Sequence, residues 1–329
     1  MTTISFPAFK IGELVLDPAA IRFSESFAIY WSGILIAVGA LLAFFYAFYR
    51  TKTEGLKFDD LIDTTLFGII FGVVGARLLY VLTTTEQMNG FLDVIAIWNG
   101  GLAIYGAIIG GGIAIAVTCR LKGVSVLKSL DVAASSLMIG QIIGRLGDFF
   151  NGQSYGITIA KDSPLYFIRM GISPHVFEDV KGLAFVHPTF LYEMLWNIIG
   201  FAIIHFIYKK KKFDGQIMLM YLAWYGLGRS FIEGLRMDSL YIGVFRVSQV
   251  LGFISFITCT IILVFQLTKA YRKKKDGEEY APTFKKISNP ASLFMSDDAE
   301  EEYTPAFKVG NTAEESDDEQ KNDEENEVE

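Results

Sequence analysis

The 329-residue chain has little cysteine and little histidine, and each shortage narrows the chemistry open to it. Its two cysteines, Cys119 and Cys259, fall near the ends of apolar segments, which is typical of small buried side chains and does not favour a disulfide framework. Its three histidines, His175, His187 and His205, contain no i, i+4 pair. These numbers do not support a zinc site, and we expect no metal and no cofactor.

Basic residues are scarce in one part of the chain only. From residue 276 to the end there are eighteen acidic and four basic side chains, a net charge of −14 in a chain whose total is −7. Residues 1–275 therefore carry a net charge of +7 and nearly all of the apolar residues. The charges of this body occur in short clusters between apolar runs, a pattern that does not favour nucleic-acid binding. The segment 276–329 is expected to be a disordered acidic tail.

Long apolar runs dominate residues 1–275. A helix needs about 20 mostly apolar residues to cross a bilayer. Seven runs meet this requirement, at 27–49, 61–82, 97–118, 131–150, 187–208, 216–234 and 245–268. The first is too long for the apolar core of a signal peptide and is not followed by a small-residue cleavage pattern. The body is therefore predicted to be an all-α membrane domain with seven transmembrane helices.

The loops predict the orientation of these helices. Lysine and arginine cluster after the first, third, fifth and seventh runs, as at 209–212, whereas the segment 83–93 has neither. The positive-inside rule then places the N-terminus outside and the C-terminus, with its tail, in the cytoplasm. With this orientation, the polar residues within the runs fall in the outer half of the membrane.

Four arginines share that outer half, namely Arg77, Arg145, Arg229 and Arg236. Charged groups inside membrane helices are costly and usually mark a functional cavity, and guanidinium groups suit phosphate oxygens well. The alternative for Arg77 and Arg236 is that they only extend to the outer interface. Arg246 is predicted near that interface, beyond the motifs, and its substitution by alanine is expected to leave most activity.

Four stretches carry most of these residues, together with many glycines: WNGGLAIYGAIIGG from residue 98, GRLGDFFNGQSYG from 144, HPTFLYE from 187 and YGLGRSFIEGLRMDSL from 225. In this order and spacing they resemble the prolipoprotein diacylglyceryl transferases, over residues from about 20 to about 270. The resemblance implies a multi-pass enzyme of the bacterial cytoplasmic membrane. It also implies transfer of the diacylglyceryl group of phosphatidylglycerol to the lipobox cysteine of prolipoprotein signal peptides, which forms a thioether and releases glycerol phosphate.

The resemblance extends to individual residues, several of which match motif positions. Arg145 and Arg229 match arginines implicated in phospholipid binding and activity, and His187 matches the histidine of the HP motif. The candidate catalytic residues are Arg145, Arg229, His187 and Tyr105. The candidate substrate-binding residues are Arg145, Asn151, Asp148, Tyr225, Glu233, Arg236, Arg77 and Gly101.

Four positions depart from the better-known family pattern. Tyr105 stands where histidine is usual, and Ser32 where tyrosine is usual. Asp148 replaces an asparagine and Gln153 replaces a glutamate, so that one negative charge changes position. These departures leave open a non-catalytic paralogue that binds phospholipid or prolipoprotein. A small-anion transporter is a weaker alternative, because transporters usually show repeated halves and this sequence shows no repeat of fixed period.

The missing histidine at position 105 leaves the general base open. His187, Glu193 and Glu233 are candidates, the two glutamates if burial raises their pKa. The arginines would make a base dispensable if they lowered the pKa of the substrate thiol, which is about 8.5 for a free cysteine.

The exchange at positions 148 and 153 gives a first prediction. If the two changes compensate each other, Asp148→Asn and Gln153→Glu each slow diacylglyceryl transfer, and the double variant recovers the lost rate. Transfer rates of the two single variants and the double variant measure this coupling. Additive effects would show that the two positions act independently.

Overall fold

The computed structural model describes residues 2–24, 28–84, 90–97, 100–173, 183–237 and 241–275. The predicted acidic tail at 276–329 and His175 lie outside the described residues. The same holds for Trp98 and Asn99 at the start of the first glycine-rich motif.

Eight α-helices account for most of the described chain. They are α1 Trp31–Glu54, α2 Phe58–Thr83, α3 Phe91–Ile95, α4 Ile104–Leu121, α5 Val126–Asn151, α6 Thr189–Tyr208, α7 Gln216–Ile232 and α8 Val247–Lys275. Apart from the five-residue α3, each helix corresponds to one predicted run. Six helices, α1, α2, α4, α5, α6 and α8, are long and apolar enough to cross a membrane. The seventh, α7, has 17 residues and continues into the 3-10 turn Glu233–Leu235.

The outer surfaces of these helices are apolar. Ile69 on α2, Ile108 on α4 and Phe265 on α8 are each more than 60% exposed, and many neighbouring leucine, valine and isoleucine side chains are exposed with them. Soluble proteins rarely expose apolar patches of this size. The protein is therefore a mostly helical, multi-pass membrane protein.

Glycine allows the closest helix contacts. A Cβ atom at Gly106 on α4 would overlap the backbone carbonyl of Gly75 on α2. A Cβ atom at Gly226 on α7 would lie 2.5 Å from the carbonyl oxygen of Gly252 on α8. Small residues permit such backbone contact between membrane helices. Gly106, Gly110 and Gly111 of the first motif therefore serve helix packing.

The structure also contains short strands outside the helices, which the all-α prediction did not include. They are β1 Thr2–Phe6, β2 Ile11–Leu16, β3 Ala19–Arg22, β4 Ala28–Tyr30, β5 Met170–Ile172, β6 Ala184–Val186, β7 Tyr241–Ile242 and β8 Phe245–Arg246. Four of them form an antiparallel sheet in the order β2-β1-β5-β6, with Ile4 opposite Ile172 and Met170 opposite Val186. This sheet was not predicted, because strands of three to six residues are too short for a clear period.

This sheet packs its apolar face against the start of α6. Ile4, Ile172 and Val186 are buried in one cluster with Phe190, and Phe149 of α5 packs against that cluster. The sheet thus joins the N-terminal strand to the end of α5 and to the beginning of α6.

The helix directions place the four motifs at one end of the bundle, where α4, α6 and α8 begin and α2, α5 and α7 end; we call this the motif end. The opposite end of the bundle has its own ion pairs. Within the basic cluster at 209–212, the side chain of Lys211 is buried, with Nζ 2.7 Å from Glu54 and 3.3 Å from Asp131. Asp131 also accepts hydrogen bonds from the backbone N–H groups of Gly215 and Met218, and so caps the start of α7.

Glycine packing between α2 and α4 gives a second prediction. Gly106→Ala forces the two backbones apart, and overpacking of this kind costs about 1–3 kcal/mol of unfolding free energy. Gly112→Ala on the same helix is the control, because a Cβ atom there meets nothing within 4 Å. Thermal unfolding in detergent should show a lower midpoint for the first variant and no loss for the second. Equal midpoints would contradict this account of the crossing.

Candidate active site

One buried carboxylate, that of Glu193 in the first turns of α6, gathers three arginines at the motif end. Its Oε1 atom lies 3.1 Å from Nη1 of Arg229 and 2.9 Å from Nη1 of Arg236. Its Oε2 atom forms an ion pair with Nη2 of Arg145. Arg145 comes from α5, Arg229 from α7, and Arg236 follows the 3-10 turn after α7. Three separate segments therefore meet on one side chain.

Two more carboxylates complete this cluster. Glu233 Oε2 lies 2.8 Å from Nη2 of Arg229, and Asp148 Oδ2 lies 2.8 Å from Nη1 of Arg145. The second pair has i, i+3 spacing, so Arg145 and Asp148 lie on one helical face of α5. Three guanidinium groups and three carboxylates thus balance in charge, as buried ionic groups require. We call these six residues the arginine–carboxylate cluster.

Exposure differs sharply within the cluster. The side chains of Arg145 and Arg229 are 22% and 20% exposed and that of Asp148 is 25% exposed, whereas those of Glu193 and Glu233 are 7% and 2% exposed. The two glutamates are therefore the buried part of the cluster, and the side chains of Arg145, Arg229 and Asp148 are its accessible part. Arg236 is buried and bound to Glu193, so the alternative that it only extends to the interface is wrong.

Three motifs join through the backbone of Gly156. Its N–H donates to the His187 carbonyl at 2.8 Å, and the N–H of Ile157 donates to the Leu235 carbonyl at 2.8 Å. A Cβ atom at Gly156 would lie 2.5 Å from the Leu235 oxygen and 2.9 Å from Cβ of His187. Only glycine fits between these neighbours. The signature motif, the HP motif and the segment that carries Arg236 consequently hold each other in place.

His187 lies just before α6 in this junction and is buried. Its Nδ1 atom is 3.2 Å from the hydroxyl of Tyr192. Burial lowers the pKa of the His187 imidazole below its usual value, because desolvation disfavours the charged ring. The ring is therefore neutral at neutral pH and able to accept a proton.

Tyr105 reaches the site region through α8. Its hydroxyl lies 3.3 Å from Oγ of Ser248 at the start of that helix. The next residue, Gln249, donates from its side-chain amide to the carbonyl of Ser230, at 2.9 Å. Ser230 directly follows Arg229. Tyr105 is thus connected to the end of α7 by way of α8.

Arg77 binds a loop. Its guanidinium group donates to the carbonyls of Val94 at 2.9 Å, Gly100 at 2.7 Å and Gly101 at 2.9 Å, and also to that of Asp93. Because the side chain is buried, the alternative that Arg77 extends to the interface is wrong. Gly101 has a φ of 72°, and a Cβ atom there would lie 2.7 Å from Nη1 of Arg77. Both residues therefore shape the loop before α4.

The other predicted site residues have distinct environments. Tyr225 stacks on Tyr221 within α7, with ring centres 5.9 Å apart. Asn151 ends α5, and its Nδ2 atom is 3.5 Å from Oε1 of Gln153. The Oδ1 atom of Asn151 is buried and accepts no hydrogen bond from the described residues. A buried carbonyl oxygen without a partner is available to a ligand donor.

Ser32, the remaining departure, packs at the base of this region. A Cβ atom at Gly147 would lie 3.2 Å from Cα of Ser32, so α1 and α5 are in close contact between Arg145 and Asp148. A small residue at position 32 fits this contact.

Two residues contact the site region in ways that the sequence did not predict. Ser154 has a left-handed backbone with a φ of 53°, and its Oγ atom is 3.4 Å from Nη2 of Arg236; no sequence signal identified it. Arg246 follows the last motif in the sequence, and its Nη1 atom donates to the carbonyl of Glu233 at 2.5 Å. This contact forms because β7 and β8 make a hairpin that returns the chain to the end of α7.

A stacked tryptophan pair fixes α6 beside α7. The rings of Trp196 and Trp224 are 4.3 Å apart, and each Nε1 donates to the backbone carbonyl of the other at 2.9 Å. A Cβ atom at Gly228 would overlap the Trp196 ring. Since Trp196 is one turn from Glu193 and Gly228 precedes Arg229, this pair holds the ion-pair partners in register.

The shared carboxylate gives a third prediction. Glu193→Gln leaves Arg145, Arg229 and the buried Arg236 without their common counter-charge, and breaking a buried ionic group in this way costs about 3–5 kcal/mol of unfolding free energy. Glu13→Gln is the matched control, because Glu13 is exposed on β2 and exposed changes cost about 0.5 kcal/mol or less. Thermal unfolding in detergent compares them. A midpoint for Glu193→Gln as high as that of the control would contradict the assigned role of Glu193.

The chain is similar to known proteins over most of its length. A family profile described as prolipoprotein diacylglyceryl transferase matches residues 18–265. A phosphatidylglycerol–prolipoprotein diacylglyceryl transferase of Lactobacillus delbrueckii subsp. bulgaricus is 38% identical over 266 residues, covering 79% of this chain and 94% of the relative. Proteins of the same name from Streptococcus equi subsp. zooepidemicus and Limosilactobacillus reuteri are 39% and 38% identical, covering 81% and 77% of this chain and 95% and 92% of the relatives. The chain therefore belongs to the prolipoprotein diacylglyceryl transferase family, as its four motifs predicted.

Proposed function

We propose that this protein transfers the diacylglyceryl group of phosphatidylglycerol to prolipoproteins, and that it does so at the arginine–carboxylate cluster. The observation that carries the location is the pair of partly exposed guanidinium groups, those of Arg145 and Arg229, fixed from behind by buried Glu193. Preorganised cations with an open edge suit an anionic lipid headgroup.

The membrane arrangement follows from the helices and the charges. We infer that α7, extended by the 3-10 turn Glu233–Leu235, is a seventh span beside the six longer ones. The N-terminus then lies outside the bacterial cytoplasmic membrane, and the motif end faces outward. Residues 1–275 form the catalytic body, and the acidic segment 276–329 lies on the cytoplasmic side, away from the anionic substrate.

The donor phosphate is bound by Arg145 and Arg229. Each guanidinium group has five N–H donors, and the carboxylates of the cluster use only some of them. The remaining donors on the exposed edges bind phosphate oxygens. The carbonyl oxygen of Asn151 and the side chains of Tyr225 and Asp148 line the same end of α5 and α7 and contribute to headgroup binding.

The reaction is a nucleophilic displacement at the carbon of the diacylglyceryl group that is bonded to the phosphate oxygen. The lipobox thiol loses its proton, its sulfur attacks this carbon, and a C–S bond forms as the C–O bond to phosphate breaks. The electron pair of the broken bond stays on the phosphate oxygen, so glycerol phosphate leaves as an anion. Arg145 and Arg229 stabilise this developing charge, which is an efficient use of fixed cations in a site shielded from water.

His187 is the proton acceptor that we favour for the thiol. Both oxygens of Glu193 already accept hydrogen bonds from arginines, and Glu233 is paired with Arg229. Burial favours the neutral form of the His187 ring, and the Cβ atom of His187 lies beside the signature glycine, Gly156. Tyr105, whose hydroxyl lies 3.3 Å from Ser248 Oγ, acts indirectly, by supporting the start of α8 beside the end of α7.

Transfer by purified variants tests this proposal and is our fourth prediction. Wild-type protein, phosphatidylglycerol vesicles and a lipobox peptide should give a thioether-linked diacylglyceryl peptide, detected by mass spectrometry. Arg145→Ala and Arg229→Ala should each lower the rate at least about a hundredfold, the cost of losing one charge-stabilising group. Arg22→Ala is the control, since its side chain is 61% exposed and pairs with Asp17.

Full activity in Arg145→Ala would refute the assigned site. Absence of the thioether product with wild-type protein would refute the transfer activity itself.

A further inference from the structure

The start of α8 binds the end of α7 through side chains that have no assigned role. We propose that Arg246 and Gln249 are positioning residues for the transfer reaction: they hold the last turn of α7 so that Arg229 and Glu233 face the substrate. The inference rests on the proposed function.

Two hydrogen bonds carry this inference. Gln249 Nε2 donates to the carbonyl of Ser230 at 2.9 Å, and Arg246 Nη1 donates to the carbonyl of Glu233 at 2.5 Å. Both acceptors are backbone groups of the turn that carries Arg229 and Glu233. The two donors therefore hold the turn that carries Arg229 and Glu233 at two of its carbonyl groups.

These carbonyls belong to a helix end. The last carbonyls of a helix lack α-helical partners and are satisfied by other groups. The Ser230 carbonyl accepts the side-chain amide of Gln249. The Glu233 carbonyl accepts the backbone N–H of Arg236 at 3.2 Å and also the guanidinium group of Arg246, a cation that suits the negative end of the helix dipole. Loss of Gln249 removes the side-chain donor to Ser230, and loss of Arg246 leaves the Glu233 carbonyl with the Arg236 N–H alone, so the turn is held less firmly.

Close packing between α7 and α8 supports these two hydrogen bonds. A Cβ atom at Gly252, one turn beyond Gln249, would lie 2.8 Å from the carbonyl oxygen of Gly226 and 3.3 Å from Cβ of Arg229. The backbones of α7 and α8 are thus in contact one helical turn beyond Gln249. Arg246 is itself held from the other side, because its Nε atom donates to the hydroxyl of Tyr241 at 2.7 Å.

The same turn of α8 also reaches Tyr105. Ser248 Oγ lies 3.3 Å from the Tyr105 hydroxyl. One short segment, residues 246–249, therefore binds the end of α7 and the beginning of α4. A change in this segment would move two parts of the site relative to Arg145 on α5.

The expected effect falls on the chemical step. In Gln249→Leu, Arg145 keeps its contacts with the phosphate, while the guanidinium group of Arg229 is displaced slightly. Small displacements of a catalytic group cost on the order of a hundredfold in rate. Gln249→Leu should thus lower kcat for transfer about tenfold to a hundredfold and leave the KM for the lipobox peptide within about threefold.

The experiment compares three variants of one helix and is our fifth prediction. Gln249→Leu removes the donor, Gln249→Lys keeps a donor near the carbonyl of Ser230, and Gln266→Leu makes the same change at another half-buried glutamine of α8. The lysine variant should recover most of the kcat lost in Gln249→Leu, and Gln266→Leu should match wild type.

A structural readout accompanies the kinetics. Hydrogen exchange by mass spectrometry should show faster exchange over residues 230–237 in Gln249→Leu, with unchanged exchange over α5. Arg246→Ala should give the same local pattern, which keeps the test valid if one variant folds poorly.

Distinct results overturn the two claims. Unchanged kcat together with unchanged exchange over residues 230–237 would overturn the positioning role, as would equal losses in Gln249→Leu and Gln266→Leu. No transfer by wild-type protein would overturn the proposed function instead, and the exchange data would then still decide whether Gln249 and Arg246 hold the end of α7.

Discussion

The buried carboxylate of Glu193 is the interaction on which the site depends. It accepts contacts from Arg145, Arg229 and Arg236, which come from three different segments of the chain. Three guanidinium groups would repel each other without it, and none of the three segments alone could fix their distances. Burying this carboxylate carries a desolvation cost, which its contacts with the three guanidinium groups offset.

Packing explains how these charges can meet within an apolar bundle. Glycine pairs such as Gly226 and Gly252 bring backbones into contact, and the reciprocal tryptophan pair sets α6 against α7. The opposite end of the bundle has a comparable device, with Lys211 buried between Glu54 and Asp131. The helix α7 is thereby fixed at both ends, by Asp131 at its start and by Glu193 near its finish.

The sequence predicted the spans, the family and most of the residues that the cluster brings together, because long apolar runs make intramembrane charges conspicuous. It did not predict Lys211 as a buried residue, since a lysine within a basic cluster gives no sign of partners 80 residues earlier in the chain. The sequence also did not predict the short strands or the contacts of Ser154 and Arg246. They depend on loops that return to the bundle, and tertiary contacts of this kind leave no periodic pattern.

The most direct test of this account is a double-variant cycle between Glu193 and Arg236. Glu193→Gln leaves an uncompensated buried cation, and Arg236→Gln leaves the carboxylate with fewer partners; the double variant removes one charge of each sign. Unfolding free energies measured in detergent should show that the double variant is more stable than the sum of the single losses predicts, by about 1–3 kcal/mol. Strictly additive losses would contradict the claim that one shared carboxylate organises the arginines of the site.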